Sequence, residues 1–338
     1  DMRPWLVACA LGIAAVGSAC GSGSGNGAEV RVTIPPGATM RVAGDSLAKA
    51  GVIQWSRPFR LYASIRRGDR GIKAGTYLLH KNASWSFVLD ALRGGRGILH
   101  VVTIPEGFAL SQIEPLLESK LGDPSDSVDA AVRDTALLHQ LDIPTPTLEG
   151  YLFPDTYFLP DNTSARAAVL VMVKRFEQVW KPEWTARLDT LHLSRNDVMA
   201  LASIVEKEAR LPEERPLIAA VYMNRLRGGM LLQADPTVQY ALGKHVARVY
   251  YKDLEVDSPY NTYKYPGLPP GPIASPGRAS IEAALYPANV PFEYFVAFPD
   301  GHHEFRNDLA AHEVAKAAAR KAWDSVDASR KREPEPRR

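Results

Sequence analysis

Polar and hydrophobic positions alternate just beyond residue 28, and the pattern then changes to a helical period. The stretch EVRVTIPPGAT (29–39) alternates like a strand that ends in a Pro-Gly turn, and 40–53 carries apolar residues at helical spacing. A second strand is predicted at 75–80, followed by a short helix that starts from a cap at Asn82 or Ser84. These elements predict a small α+β unit, and it contains no cluster of residues suited to catalysis.

Beyond residue 99 the pattern is mainly helical, with a few strands and long Pro-rich connections. One helix is expected to start at Ser194, because Asp197 lies three residues later and completes a capping signal. The other predicted elements are a strand and helix (100–122), an aromatic loop (142–164), helices (164–184 and 213–230), irregular segments (231–243 and 257–288) and a strand pair with a last helix (292–323). The fold class predicted is α+β, with a small N-terminal module followed by a larger mixed α/β domain.

Length and composition agree with a folded protein of two domains. The chain has 338 residues, of which 46% are hydrophobic and 23% charged. The net charge is +2, and acidic and basic residues are mixed along the chain. Because a nucleic-acid-binding domain usually carries a basic stripe, no nucleic-acid partner is expected. The charged tail at 326–338 is expected to be a solvated end.

The first 27 residues have the pattern of an export signal or membrane anchor. An apolar run extends from Trp5 to Cys20 and is followed by the Gly/Ser tether GSGSGNG. Both cysteines, Cys9 and Cys20, lie in this segment, so the body cannot form a disulfide. The setting of Cys20 resembles a lipoprotein processing site, and an uncleaved span is the alternative. Either anchor places the body on the extracytoplasmic side of the cell (inner) membrane.

Two glutamates, Glu206 and Glu208, lie close to the apolar stripe of the helix that contains ASIVEKEA (202–209). At about 100° per residue, side chains two positions apart point in different directions. The two acids therefore cannot form the facing carboxylate pair of an ordinary glycosidase. At most one of them is a catalyst, and the other interpretation is that both are ion-paired residues at the helix rim.

The irregular segments downstream are rich in tyrosine, asparagine and proline. Long loops in compact domains are often functional. Aromatic faces pack on sugar rings, and amides and hydroxyls bind sugar hydroxyl groups. The segment SPYNTYKYPGLPPGPIASPG (258–277) therefore predicts one wall of a sugar-binding groove.

An ordered set of motifs resembles the endolytic murein transglycosylase family, the YceG-like proteins. It includes KAGTYLL, EGYLFPDTY, ASIVEKEA, GMLLQADPTVQYALG, SPYNTYKYPGLPPGPIASPG and YFVAFPDGHHEFRNDLAAH, and it extends over the chain from about residue 30. The resemblance implies a LysM-like module at 28–99 and a catalytic domain at 100–325. It also implies cleavage of the MurNAc-β-1,4-GlcNAc bond in nascent glycan strands, with a 1,6-anhydroMurNAc end as product. The family's catalytic glutamate aligns with Glu208.

The same resemblance suggests residues that line the sugar-binding groove. Asp235 has the alternative role of capping a turn or helix, and Asn224 and Arg225 the alternative of bracing the acid. A packed aromatic loop is the alternative for the YNTY segment. The candidate substrate-binding residues are Asn224, Arg225, Gln233, Asp235, Thr237, Tyr260, Asn261 and Tyr263.

Two further groups of titratable residues are weaker candidates. Glu149 in EGYLFPDTY is a possible second acid, and a buried, hydrogen-bonded role is favoured for it. The HHE triplet at 302–304, with His312, contains metal-ligand types but lacks a defined third ligand. No metal and no cofactor are expected.

Two other functions remain open from the sequence. One is a lysozyme-like hydrolase that uses Glu208 and Asp235 across the groove, and the other is a non-catalytic glycan-binding or scaffold protein. The partners expected are peptidoglycan glycan strands, the membrane through the N-terminal anchor, and peptidoglycan synthases. The resemblance further implies that cleavage terminates strand elongation.

Overall fold

The computed structural model describes most of the chain in two compact units. The described residues are 27–67, 71–95, 97–122, 124–160, 163–243 and 249–330. The predicted anchor with Cys9 and Cys20 lies outside them, as does most of the predicted tail. The first unit holds the described residues up to Val101 together with those in Phe158–Thr163, and the second unit holds the remainder. No helix in the described ranges has both the length and the apolar character needed to cross a membrane.

The first unit is built on a pair of antiparallel strands with helices between them. Its elements are β1 (Glu29–Ile34), α1 (Met40–Lys49), α2 (Ser56–Ile65), β2 (Gly75–His80), α3 (Trp85–Gly94) and β3 (Ile98–Thr103). β1 and β2 are paired over their full length, from Glu29 opposite His80 to Ile34 opposite Gly75. Val32 and Ile34 are buried, and Arg31 and Thr33 are exposed, as the alternating pattern of this strand predicts.

The second helix of this unit, α2, is absent from the sequence prediction. Phe59 and Ala63 are its buried residues, whereas Leu61 and Ile65 are 65% and 73% exposed. Phe59, Tyr62 and Ala63 recur at helical spacing, so the periodic signal of an amphipathic helix was present and was overlooked. The cap of α3, in contrast, is at Ser84, one of the two predicted positions, and its hydroxyl accepts a hydrogen bond from the Phe87 amide.

The second unit is mainly helical. Its helices are α4 (Leu110–Leu121), α5 (Ser125–Val132), α6 (Thr135–Gln140), α7 (Ala165–Val179), α8 (Pro182–Leu191), α9 (Arg195–Glu208), α10 (Arg215–Arg227), α11 (Asp235–Ala241), α12 (Arg278–Leu285) and α13 (Leu309–Arg330), with 3₁₀ turns at Pro212–Glu214 and Tyr251–Glu255. Its own strands are β5 (Tyr294–Ala297) and β6 (His303–Arg306). The division between the units falls within β3, after Val101, and within β4 (Thr156–Pro160), whose residues from Phe158 onward belong to the first unit. One sheet has the order β1-β2-β3-β4, and β5 pairs with β6. The mixture of helices and antiparallel strands agrees with the predicted α+β class.

The single helix predicted at 164–184 is wrong, because two helices occupy this range. α7 ends at Val179, where Trp180 takes an extended backbone conformation with ψ of 112°. Pro182 is the first residue of α8, and a proline disfavours helical geometry in the residue before it. Lys181 is accordingly extended, with ψ of 150°, and separates the helices.

α9 is the central helix of the second unit. It is buried on almost every side from Asn196 to Val205 and packs against α8, α10, α11 and α12. The sequence had indicated a single apolar stripe. Burial on all sides explains why small and apolar residues continue around the helix until its last turn.

Candidate active site

Glu208 is the last residue of α9 and the first of four polar side chains that meet at one place. The helix begins with the predicted capping box, in which Ser194 accepts from the Asp197 amide and the Asp197 carboxylate accepts from the Ser194 amide. It ends because Ala209 is extended, with ψ of 121°. A carboxylate at this end faces the negative pole of the helix dipole, which disfavours its charged form.

The Glu208 carboxyl accepts a hydrogen bond from the hydroxyl of Tyr222 on α10, at 3.0 Å. Burial raises the pKa of Glu208 to about 7, and the negative charge of Asp235 contributes in the same direction. The Tyr222 hydrogen bond opposes this shift because it stabilises the ionised carboxylate. Glu208 is therefore a carboxyl group that holds or releases a proton near neutral pH.

Tyr222 is held rigidly behind Glu208. It is 2% exposed, and its ring meets that of Phe295 edge-on with centroids 5.8 Å apart. Desolvation and the adjacent Glu208 carboxyl raise the pKa of the Tyr222 phenol well above its usual value. The hydroxyl thus stays protonated and acts only as a donor to Glu208.

Asp235 and Tyr263 form the other side of the site. Asp235 is the first residue of α11, and the Tyr263 hydroxyl donates to its carboxylate at 2.6 Å. Asp235 is exposed, and Tyr263 is partly exposed. Gln233 lies two residues before Asp235, is exposed, and has a left-handed backbone with φ of 53°. Asp235 and Tyr263 are therefore close enough to Glu208 to interact with it electrostatically, and Gln233 is solvent-exposed two residues before Asp235.

Glu206 points to a different part of the unit, as the helical geometry predicts. One oxygen lies 3.7 Å from the Arg215 guanidinium, and the other accepts from the Gly277 amide at 3.0 Å and the Ser280 hydroxyl at 2.7 Å. This carboxylate therefore holds the start of α12 against α9. Its contacts give it a structural role and place it outside the site.

Two predicted groove residues in and near the YNTY segment are buried. Asn261 is 0% exposed, and its amide donates to the carbonyls of Leu254 and Val256 at 2.9 and 2.8 Å. Thr237 is also 0% exposed, and its hydroxyl contacts that of Thr262 at 2.8 Å. Both side chains fasten the loop internally, so the structure places neither on the surface of the groove.

Asn224 and Arg225 likewise act as braces for the surrounding backbone. The Asn224 amide donates to two carbonyls in the 288–293 connection, those of Val290 and Phe292, both at 2.8 Å. The Arg225 guanidinium donates to the carbonyls of Glu293 and Leu232, both at 2.7 Å. These bonds fix the segments that flank β5 and α11, so both side chains brace backbone carbonyls and not the acid itself.

Glu149 and Tyr260 belong to a second polar cluster. Glu149 is 4% exposed, and both of its oxygens accept from the Leu110 amide at 3.1 Å. Burial raises the pKa of Glu149 to about 7, although hydrogen bonds from the Leu110 amide and the Tyr240 hydroxyl oppose the shift. The ring of Tyr260 packs on that of Tyr240 at 4.8 Å. The predicted buried role of Glu149 agrees with these contacts.

The histidines near the C-terminus have separate partners. His303 is buried and bonded to Glu214 at 2.6 Å, His302 contacts Asp300 at 2.5 Å, and His312 stacks on Tyr294. Within the ranges that the structure describes, no three His, Cys, Asp or Glu side chains come together as a metal site.

Comparison with known proteins gives matches over most of the chain. The model of the YceG-like family matches residues 32–318. A protein of Bacillus subtilis (strain 168) named "Endolytic murein transglycosylase" is 36% identical over 306 residues, which covers 85% of this chain and 84% of the relative. A protein of the same name from Streptococcus pneumoniae (strain D39) is 32% identical, and the match covers 84% of this chain and 57% of the relative. A crystal structure of a yceG-like protein from Listeria monocytogenes aligns with a TM-score of 0.61 at 33% identity, over 84% of this chain and 98% of the other.

Proposed function

Because the chain belongs to the YceG-like family and its relatives are named endolytic murein transglycosylases, it is a lytic transglycosylase of peptidoglycan, and we propose that Glu208 is its catalytic residue. The observation that carries this assignment is the environment of Glu208. Its carboxyl has a pKa of about 7 and lies beside an open loop wall rather than in an ion pair.

The reaction needs one carboxyl group that acts twice. Protonated Glu208 donates its proton to the glycosidic oxygen as the bond to the muramic C1 breaks. The resulting carboxylate then takes the proton of the muramic C6 hydroxyl as that oxygen attacks C1. Atoms balance without water, and the product is a 1,6-anhydroMurNAc end.

The two neighbours of Glu208 have different parts in this cycle. The negative charge of Asp235 favours the protonated acid that the first step requires, and it also stabilises positive charge that develops at C1. The Tyr222 hydroxyl stabilises the carboxylate that exists between the two steps. Burial raises the pKa of Glu208 most, Asp235 adds to the rise and Tyr222 limits it, so the pKa lies near neutrality.

The products test the proposal directly. Incubation of isolated sacculi with the protein is expected to yield muropeptides with anhydro ends, identified by mass spectrometry. Reducing MurNAc ends formed with incorporation of solvent oxygen would instead identify a hydrolase.

A hydrolase is the second candidate, and the proximity of Asp235 to Glu208 is the observation that favours it. In that mechanism Asp235 activates water or acts as a nucleophile. We expect Asp235→Asn to retain the anhydro product but to lower the pKa of Glu208, because a like charge is removed. The alkaline limb of the kcat/KM profile then moves to lower pH. Loss of all activity at every pH would support the hydrolase.

Tyr222→Phe is expected to shift the same limb in the opposite direction. The substitution keeps the ring against Phe295 but removes the hydrogen bond that favours ionised Glu208. Since a hydrogen bond to a charged group contributes about 1.5–3 kcal/mol, the limb should move up by about one to two pH units. The pH dependence of kcat/KM between pH 5 and 9 measures the shift, and an unchanged profile would contradict the assignment.

The other parts of the chain complete the proposal. We infer that the first unit is a LysM-like glycan-binding module, which is supported by its strand–helix–helix–strand order from β1 to β2. We further propose that residues 1–27 tether the body on the extracytoplasmic side of the membrane, where nascent strands are cut near their synthases. Mass spectrometry of the mature N-terminus would separate a lipid on Cys20 from an uncleaved span.

A further inference from the structure

A cavity of about 560 Å³ lies in the second unit between α4 and α11. Lys207 and Pro236 line it, and these residues are the chain neighbours of Glu208 and Asp235. Glu149 and Tyr240 line it farther along, at the opposite end of α11 from Asp235. Tyr240 follows Asp235 by five positions in α11, which corresponds to about 7.5 Å along the helix axis. The cavity therefore starts beside the candidate active site and leads away from it.

The cavity offers no platform for a sugar ring. Tyr240 is its one aromatic side chain among the described residues. Tyr260 packs on that ring at 4.8 Å, and the Tyr240 hydroxyl is hydrogen-bonded to Glu149. Because sugar subsites are built around exposed aromatic faces, a glycan is a poor match for this space.

The polar groups of the cavity are those that bind peptides. Gln112 and Gln239 bring amide groups, which are complementary to peptide bonds. The cations Arg133 and Lys207 are exposed at the wall. The Nε of Arg133 is paired with Asp129 at 2.8 Å and Lys207 donates to the Gly107 carbonyl at 3.2 Å, and the remaining N–H groups of both cations can donate to a peptide carboxylate. Two acids, Glu114 and Glu149, add acceptors, and burial raises the pKa of both. A volume of about 560 Å³ falls within the range of pockets that bind small organic ligands.

We propose that the cavity between α4 and α11 binds the stem peptide carried by the muramic acid residue at the cleavage site. This inference rests on the proposed function, because it assumes that the muramic acid ring lies at Glu208. In peptidoglycan the peptide branches from the lactyl group of that sugar. With the glycan beside Glu208, the branch passes Lys207 and Pro236 and enters the cavity, where Arg133 pairs with a peptide carboxylate.

A binding experiment tests the cavity without relying on catalysis. N-acetylmuramoyl pentapeptide is titrated into full-length Glu208→Gln protein, and binding is followed by NMR. Saturable binding is expected, and Gln239→Trp or Arg133→Glu added to this background should weaken it about tenfold, equivalent to about 1.4 kcal/mol. Gln178→Trp introduces the same residue at an exposed position on α7 and should leave the affinity unchanged. Absence of binding, or equal affinity in the cavity variants and the control, would overturn the proposal.

A cleavage experiment then relates the cavity to turnover. The substrates are glycan strands of equal length, with their stem peptides intact or removed by an amidase. The protein is expected to cut the peptide-bearing strands about tenfold faster in kcat/KM, and Gln239→Trp should remove most of that preference. Equal rates on both substrates would reject the peptide subsite. Failure to cut either substrate would reject the proposed function, and the binding titration would still decide whether the cavity holds the peptide.

Discussion

Glu208→Gln is expected to lower the rate of glycan cleavage by about 10²–10⁴-fold while the protein stays folded. The amide keeps the shape of the side chain and can still accept the hydrogen bond from Tyr222. It cannot supply a proton to the leaving oxygen or remove one from the C6 hydroxyl, so both steps lose their catalyst. Release of anhydro-ended muropeptides from sacculi, followed over several hours, measures the residual rate.

Glu206→Gln is the matched control, because it makes the same change two residues earlier in the same helix. In this variant the side-chain amide oxygen can still accept from the Gly277 amide and the Ser280 hydroxyl, whereas the charge that faces Arg215 is lost. We expect reduced stability with substantial activity. Full activity of Glu208→Gln, or equal loss in both variants, would remove Glu208 from the mechanism and favour a non-catalytic scaffold.

The helix that bears the acids could be predicted from sequence because its signals are local. The cap at Ser194 and Asp197 is a short-range pattern, and the divergence of Glu206 and Glu208 follows from helical geometry alone. Helix α11, in contrast, could not be predicted, because its seven residues are too few to show the helical repeat of apolar positions. Pro236 in its first turn also makes the segment resemble a loop, although proline is well tolerated there.

The open and buried residues of the groove could not be separated by sequence, because a polar residue in a loop serves a ligand or the backbone equally well. Tyr263 and Asn261 are two positions apart, yet one bonds the exposed Asp235 and the other is enclosed by loop carbonyls. The distinction depends on which backbone carbonyls of the loop are buried and require a hydrogen-bond donor, and this is known only from the folded structure. Tyr222 was missed for a related reason. It lies within an apolar run, where a tyrosine is typical of packing.

Gly150→Ala is expected to destabilise the second unit by about 2–5 kcal/mol, from backbone strain and from overpacking together. Gly150 has φ of +81°, a conformation that costs an alanine about 1–2 kcal/mol. A methyl group there would lie 2.3 Å from Cβ of Pro272 and 3.2 Å from the carbonyl oxygen of Ala274. These neighbours are a rigid ring and a backbone atom, and the Ile273 amide between them is held by the Ser203 hydroxyl at 3.0 Å. The segment therefore has little freedom to move away.

Gly122→Ala is the matched control, since it has a similar φ of +72° with nothing within 4 Å of the added methyl group. It should cost only the strain, about 1–2 kcal/mol. Urea titration measures the free energy of unfolding of both variants, and hydrogen exchange of the α9 and α12 amides then shows whether the loss lies in the second unit. The difference in unfolding free energy between the two variants is the cost of the contact with Pro272. An equal loss of stability in the two variants would show that the 270–274 segment moves away from the added methyl group. A 270–274 segment that moves so easily would not hold Ile273 in place in the wall of the α4–α11 cavity. The same comparison therefore also tests how rigid that wall is.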